Sequence, residues 1–249
     1  QARSLLRARR QARFLSRVAS YSEAITPYNQ ETVANYELGL KSEMWDSKLR
    51  MSATVFQMDY QDKQEEIHLP DTLSGTGQKT VVANASTATM KGAELEVQAY
   101  PMDGLNLRGN MAYLHTKYDS FKFDDGTGIQ DLSYLKFRRA PKWTGSLDAT
   151  YEWSLGAKTM MSTRVSYHYI DKYFTDFTNA PALANDAQNL IDASVNVEFG
   201  ETRLSLYGRN LTGEDGYMIG YDVAGIWDYS APRAPRTFGA EVTFRFGEK

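Results

Sequence analysis

Residues 237–246 read Thr-Phe-Gly-Ala-Glu-Val-Thr-Phe-Arg-Phe, and they decide the fold. Phe238, Ala240, Val242, Phe244 and Phe246 share one parity; Thr237, Gly239, Glu241, Thr243 and Arg245 share the other. A period of two belongs to the β-strand, whose successive side chains point to opposite faces. The pattern recurs at 143–153, where Trp143, Leu147, Ala149, Tyr151 and Trp153 oppose Thr144, Ser146, Asp148, Thr150 and Glu152. It recurs again at 191–199, with Ile191, Ala193, Val195, Val197 and Phe199 against Asp192, Ser194, Asn196 and Glu198. Residues 93–99, 105–113 and 164–169 follow it with more noise. One stretch changes phase: Leu49, Met51, Ala53 and Val55 are followed by Phe56, Met58 and Tyr60, which predicts a bulge or a change of surroundings near Val55.

Working outward, the same reading gives nine strands, near 33–43, 48–66, 78–100, 104–118, 142–153, 158–172, 188–199, 202–212 and 236–246. Helical i, i+3, i+4 spacing is absent across these windows. Short turns at 44–47, 101–104, 154–157 and 200–201 alternate with long polar links at 67–77, 119–141, 173–187 and 213–235. A soluble sheet has no reason to place all its short turns at one end, whereas outer-membrane barrels do, with an apolar outer band and aromatic girdles. Tyr100, Tyr151, Trp153, Phe199 and Phe246 fall toward the short-turn side, and Tyr113, Trp143, Tyr167 and Tyr169 toward the long-loop side.

Composition fits that reading. The 249 residues are 42% hydrophobic with a mean hydropathy of −0.51 and no cysteine. No apolar run approaches the ~18 residues of a transmembrane helix. Disulfides, thiolate catalysis and cysteine-held metals are excluded. The net charge of −3 disfavours nucleic acid as a partner. That charge is uneven: residues 1–20 hold six arginines (Arg3, Arg7, Arg9, Arg10, Arg13 and Arg17) and no acid, so the rest carries 22 bases against 31 acids. The spacing of Leu5, Ala8, Ala12, Leu15 and Ala19 is compatible with a short helix there, read as a membrane-surface anchor, a targeting peptide or a segment unrelated to the fold, and set apart from a body at 21–249. In the nine-strand body the first and last strands run in the same direction and cannot pair antiparallel. Open edges in lipid cost several kcal/mol per unpaired group, so the body is expected to be part of a larger barrel.

Five segments carry a resemblance. They are Glu31-Thr-Val-Ala-Asn-Tyr-Glu-Leu-Gly-Leu-Lys41-Ser42, Phe56-Gln-Met-Asp-Tyr-Gln-Asp-Lys-Gln64, Asn84-Ala-Ser-Thr-Ala-Thr-Met-Lys-Gly-Ala-Glu-Leu-Glu96, Gly208-Arg-Asn-Leu-Thr212 and Pro232-Arg-Ala-Pro-Arg-Thr-Phe-Gly239. In this order, over residues 27–246, the chain resembles the C-terminal part of a TonB-dependent outer-membrane receptor. The resemblance implies an all-β fold: an antiparallel transmembrane β-barrel segment of about nine strands, within a roughly 22-stranded barrel that a plug domain fills. It also implies a Gram-negative outer membrane location and uptake of a scarce nutrient, foremost a ferric siderophore, with energy relayed by TonB. TonB would act through an N-terminal part, and no plug or TonB box precedes residue 27. Gly247-Glu248-Lys249 depart from the family's usual ending on the terminal aromatic. Outer-membrane lipid and lipopolysaccharide are the expected surroundings, and no cofactor is expected.

Candidate ligand contacts follow from position. Arg164 and His168 share a polar strand face near the long-loop end, where they would suit an anionic chelate. Tyr173, Phe177, Tyr221 and Trp227 populate the last two long loops, and Arg233 stands before the final strand. Loop self-packing and rim polarity are the competing readings of these residues. Asp124-Asp125-Gly126-Thr127-Gly128 lacks the ligand series of a calcium loop. Two other functions stay open. A soluble β-sandwich that binds glycans would pack its apolar faces together. An outer-membrane barrel hydrolase would need Ser, His and Asp to converge, yet His68, His115 and His168 sit in no catalytic motif.

Overall fold

A computed structural model describes residues 2–13, 28–71, 75, 77–124, 128–223 and 225–246. These form β1 (Ala2–Arg13), β2 (Thr32–Met44), β3 (Leu49–Pro70), β4 (Gln78–Met102), β5 (Leu105–Asp124), β6 (Ile129–Asp131), β7 (Trp143–Ser154) and β8 (Thr159–Ile170). Then come β9 (Tyr173–Phe174), a 3-10 turn at Pro181–Leu183, β10 (Ala184–Asn185), β11 (Gln188–Phe199), β12 (Thr202–Arg209), β13 (Tyr217–Val223), β14 (Trp227–Pro232) and β15 (Thr237–Phe244). One antiparallel sheet runs β1-β2-β3-β4-β5-β7-β8-β11-β12-β15, with β6 beside β5. The ribbons β9–β10 and β13–β14 stand apart from it. All nine expected strands are present, and no helix among the described residues is long and apolar enough to cross a membrane.

The N-terminal segment departs from expectation. Ala2–Arg13 is a strand, not a helix, and it pairs with β2 from Ala2↔Ser42 to Arg13↔Thr32 with an irregularity between Ala8 and Gln11. The edge of β2 offers a row of unpaired donors and acceptors, and pairing with them outweighs the weak tendency of a lone short helix. Arg17 and the expected break between residues 20 and 21 lie outside the described residues. This tenth strand also corrects the parity argument, because β1 and β15 now run in opposite directions. They are nevertheless the two edges of the sheet and do not pair with each other among the described residues. Openness therefore rests on those edges rather than on an odd strand count.

Register fixes the two faces. The pairs Leu38↔Val55, Ala53↔Leu95, Leu95↔Met111, Met111↔Gly145, Leu147↔Tyr167, Ala193↔Val165, Val195↔Leu206 and Leu206↔Ala240 carry one apolar face across the sheet. That face is uncovered: Leu147 is 55% exposed, Leu206 63% and Phe238 72%. Among the described residues no second layer packs on it, whereas a sandwich would bury this face. Its height is informative. From Trp143 to Trp153, ten residue steps of ~3.4 Å tilted by ~40° span about 26 Å, close to the ~25 Å apolar band of outer-membrane barrels. Tyr113 and Trp143 pack together at the loop end, and Tyr151 and Trp153 stack at the turn end. Tyr100 departs from this belt: its hydroxyl accepts a hydrogen bond from Gln98, on the polar face.

The phase change after Val55 is a change of surroundings. The β2–β3 register is continuous from Thr32↔Gln61 to Met44↔Leu49, without a bulge. Beyond Val55 the outer parity carries Gln57 and Asp59, which hydrogen-bond each other, while Phe56 turns to the inner face. There its ring lies over Gly92, where any Cβ would collide with it. Irregularities come higher, between Tyr60 and Lys63 in β3 and between Thr87 and Ala88 in β4, where the strands have left the apolar belt.

Candidate functional site

The inner face is a wall of alternating charge. It lines a hollow of about 910 Å³ bordered by Lys41, Glu43, Arg50, Glu96, Arg108 and Asp148. Arg164 is held on this wall. Its Nη2 and Nε donate to Asp148 Oδ1 at 2.6 and 3.1 Å, and Ser166 Oγ donates to the same oxygen at 2.5 Å. Glu43–Arg50 and Glu198–Arg203 pair similarly, at 3.3 and 3.1 Å. A smaller recess of about 200 Å³ lies between Asn106, Arg108, Asp148, Thr150 and Arg164. His168 shares the wall, opposite Ser146 in the β7–β8 register.

The buried core lies beyond the belt. Ile67 of β3, Ala88 of β4, Tyr118 and Phe121 of β5, Leu135 and Phe137 of the following loop, and Phe177 of the next loop form one cluster. These strands are long (22, 25 and 20 residues), so their tips extend past the aromatic rim and need a core of their own. Glu65 is buried within it at 3% exposure, ion-paired with Lys63 and accepting the Tyr118 hydroxyl at 2.7 Å. Lys63 Nζ also lies 5.2 Å from the Phe137 ring centre. Burial, then the neighbouring Glu65 carboxylate, pushes the Tyr118 phenol far above its ordinary value. At the loop's start, hydrogen bonds from Ser133 hold the Asp131 carboxyl below the usual range. The two loops are stitched together: the Lys136 amide donates to Asn179 Oδ1 at 2.7 Å, Asn179 Nδ2 returns a bond to the Lys136 carbonyl at 2.9 Å, and the Arg139 amide donates to the Phe174 carbonyl at 2.7 Å.

The final loop carries the β13–β14 ribbon, set in place by buried amides. Asn185 bonds both backbone groups of Tyr217, donating at 2.9 Å and accepting at 2.7 Å. Gln188 Nε2 donates to the Asp215 carbonyl, and Gln188 Oε1 accepts from Arg233 Nη2 at 2.7 Å. Asn210, with φ of 50°, donates to the carbonyls of Glu214 and Ala234 and accepts the Glu214 amide. Asn tolerates this left-handed backbone better than other side chains, which gives Gly208-Arg-Asn-Leu-Thr212 its physical content. So placed, the ribbon stacks Tyr221 on Tyr229 and brings Tyr221 edge-on to His68 of β3, with ring centres 6.1 Å apart. Gly220 packs against Thr175 and Leu183, with no room for a side chain.

The residues singled out from sequence therefore fall into three places. Arg164 and His168 stand on the inner wall, Tyr173 and Phe177 in the loop after β8, and Tyr221, Trp227 and Arg233 on or beside the ribbon. Arg164 is engaged by Asp148, Arg233 by Gln188, and Phe177 is buried at 6% exposure. Tyr173 is half-buried beside Asn185, whereas Trp227 is 53% exposed. Sequence reading missed His68 as the partner of Tyr221 and missed the supporting amides of Asn185 and Gln188. Only Asn210, inside a quoted motif, gave a signal. Asp125–Thr127 and Gly247–Lys249 lie outside the described residues. Among the described residues no three metal-ligating side chains cluster. His68 Nδ1 bonds Thr80 Oγ1 at 3.1 Å, and among the described residues no serine or carboxylate bonds its ring.

Comparison with known proteins agrees with this architecture. The model of the family described as TonB dependent receptor-like, beta-barrel matches residues 11–211. The ferric yersiniabactin uptake receptor of Yersinia pestis is similar in structure with a TM-score of 0.71 at 16% identity, over 99% of this chain and 34% of that one. The siderophore receptor PiuA of Acinetobacter baumannii gives 0.63 at 19% identity, over 86% of this chain and 28% of that one. The copper transporter OprC gives 0.63 at 16% identity, over 88% and 32%. This chain thus spans about a third of the length of these proteins. At such identities the likeness is one of fold, and the family and its neighbours are transport receptors rather than enzymes. An open antiparallel sheet with one apolar and one charged face, matched by the family model over most of its length, places this chain in the TonB-dependent receptor-like β-barrel family.

Proposed function

We propose that this chain is a section of barrel wall from an outer-membrane receptor that imports a scarce nutrient, foremost a ferric siderophore, using energy relayed by TonB. The observation that carries the reading is the division of the sheet: a bare apolar belt of lipid-spanning height outside, and a charged wall inside that includes the pairs Glu43–Arg50, Asp148–Arg164 and Glu198–Arg203. Ligand capture falls to the loop cap, where Trp227, Tyr221 and Tyr229 offer ring faces on a ribbon locked by buried amides. Tyr173 stands beside that ribbon's anchor. Arg164 and His168 serve the wall below, facing whatever fills the lumen. Iron is favoured because receptors named for ferric chelates recur among the structural neighbours, although a copper transporter stands with them.

The test is uptake by cells that make the whole receptor and lack their other iron receptors. Radiolabelled ferric catecholate and hydroxamate chelates are offered separately, with copper as the control. Energy-dependent uptake of one ferric chelate, reduced by Trp227→Ala, is expected. Copper uptake without any ferric chelate uptake would overturn the iron assignment.

A further inference from the structure

The apolar outer face carries hollows between its side chains, one between Leu38, Leu40, Ala53 and Val55 and one at the loop-side girdle, and only the second has lysines beside it among the described residues. At the loop-side girdle a notch of about 430 Å³ opens between Met111 of β5, Trp143 of β7 and Tyr167 and Tyr169 of β8, with Gly145 as its floor. The floor is backbone: a Cβ on Gly145 would stand 3.2 Å from the Asn110 carbonyl oxygen and 3.9 Å from Met111 Cα. The rings around it are fixed from behind. Trp143 packs on Tyr113 with centroids 4.7 Å apart, and Tyr167 donates its hydroxyl to Asn189 Oδ1 at 2.8 Å. The walls are thus held apart instead of collapsing over the glycine.

Positive charge lies directly above. Lys142 Nζ stands 5.7 Å from the centre of the Tyr113 ring, at the upper lip of the notch. Lys91 and Lys117 follow on the same outer parity of β4 and β5. Lys117 is paired with Asp119 at 3.6 Å, whereas neither Lys91 nor Lys142 has an ion-pair partner among the described residues.

We infer that the notch is a binding site for one acyl chain of a phosphate-bearing membrane lipid, with the chain against Gly145 and the phosphate at Lys142. The inference rests on the membrane reading above and adds a defined lipid site to it. A nearly wholly apolar groove with a flat backbone floor suits a flexible hydrocarbon chain. A lysine whose stem lies along an aromatic ring carries its ammonium to the headgroup level. The unpaired cations select phosphate lipids with net negative charge over zwitterionic ones, in a way that salt screens.

Brominated lipids, which quench tryptophans in contact with them, test this. The protein as the cell makes it is placed in phosphatidylcholine bilayers containing a small fraction of either dibrominated phosphatidylglycerol or dibrominated phosphatidylcholine. The Trp143 signal is isolated as the difference from Trp143→Phe. Stronger quenching of Trp143 by the brominated phosphatidylglycerol is expected, falling to the phosphatidylcholine level at high salt. Gly145→Leu fills the floor and removes the excess quenching. Lys142→Gln leaves the notch intact and removes only the headgroup preference, so the site remains testable if the glycine variant does not assemble. Equal quenching of Trp143 by both lipids in the unaltered protein overturns the site. Tryptophans that neither brominated lipid reaches at any fraction would overturn the membrane reading itself.

Discussion

Leu147→Arg measures whether the outer face meets lipid. Leu147 lies four residues along β7 from Trp143 and six from Trp153, on the same face as both. Four steps of ~3.4 Å tilted by ~40° put it about 10 Å below the upper girdle, near the middle of a ~25 Å belt. An arginine at that depth on a barrel's lipid face costs about 2–4 kcal/mol. At 1.4 kcal/mol per tenfold, that is a loss of roughly 30-fold to several hundredfold in the folding equilibrium. Ser146, one residue away, is the control. It faces the inner wall and accepts a hydrogen bond from Asn110 Nδ2 at 2.7 Å, so Ser146→Arg loses one exposed bond worth about 1 kcal/mol and gains room for its charge.

Urea unfolding in phospholipid vesicles, followed by tryptophan fluorescence, reads both variants against the unaltered chain. The expected order is Leu147→Arg well below Ser146→Arg, which stays close to the original. Equal destabilisation by the two, or a larger effect of Ser146→Arg, would refute the assignment of faces and with it the membrane reading.

The loop cap gives further expectations. Lys63→Ala leaves Glu65 buried without its cation and should weaken the cap by about 3–5 kcal/mol, seen as faster amide exchange across 132–140. Adding Glu65→Leu should restore most of the protection, and unchanged exchange in the single variant would show that the pair contributes nothing. Tyr118 sets an alkaline limit: its folded value is raised above the ordinary ~10, so its contribution is whole below pH ~10 and is lost as pH rises beyond that. Tyrosinate absorbance should show a late-ionising component that disappears in Tyr118→Phe while the rest of the titration is unchanged; a Tyr118→Phe titration identical to that of the unaltered chain at high pH would refute it. Asn210→Ala removes three backbone bonds and places alanine at φ of 50°, costing about 2–4 kcal/mol locally. Spin labels on the β13–β14 ribbon and on β3 should then report a broadened distance distribution; an unchanged one would mean that other contacts hold the ribbon.

The strands were legible because each has one apolar and one polar face, which imprints a period of two that needs no partner to be read. Ala2–Arg13 was not, because its side-chain spacing suits a helix and only the open edge of β2 makes it a strand. The ribbon within 213–235 escaped notice for a related reason. Its inner neighbours are Thr175, Leu183 and His68, far away in sequence, so Tyr217-Met-Ile-Gly-Tyr-Asp-Val carries no clean alternation of its own. The candidate site was legible as a region and not as contacts. Arg164 and Arg233 read as free cations until Asp148 and Gln188 are placed beside them, and Phe177 read as a ligand-facing ring until Phe121 and Tyr118 are seen to bury it.

By itself, then, the sequence determined the nine strands from β2 to β15 that carry the apolar belt, which of their faces is apolar, and which end carries the long loops. All three are consequences of local periodicity and turn length. Only the tertiary structure decided that the apolar face stays uncovered among the described residues, that the buried core lies above the belt, and that Arg164 and Arg233 already hold Asp148 and Gln188. Those properties depend on which strands become neighbours, and backbone pairing between segments tens of residues apart leaves no mark on either segment alone.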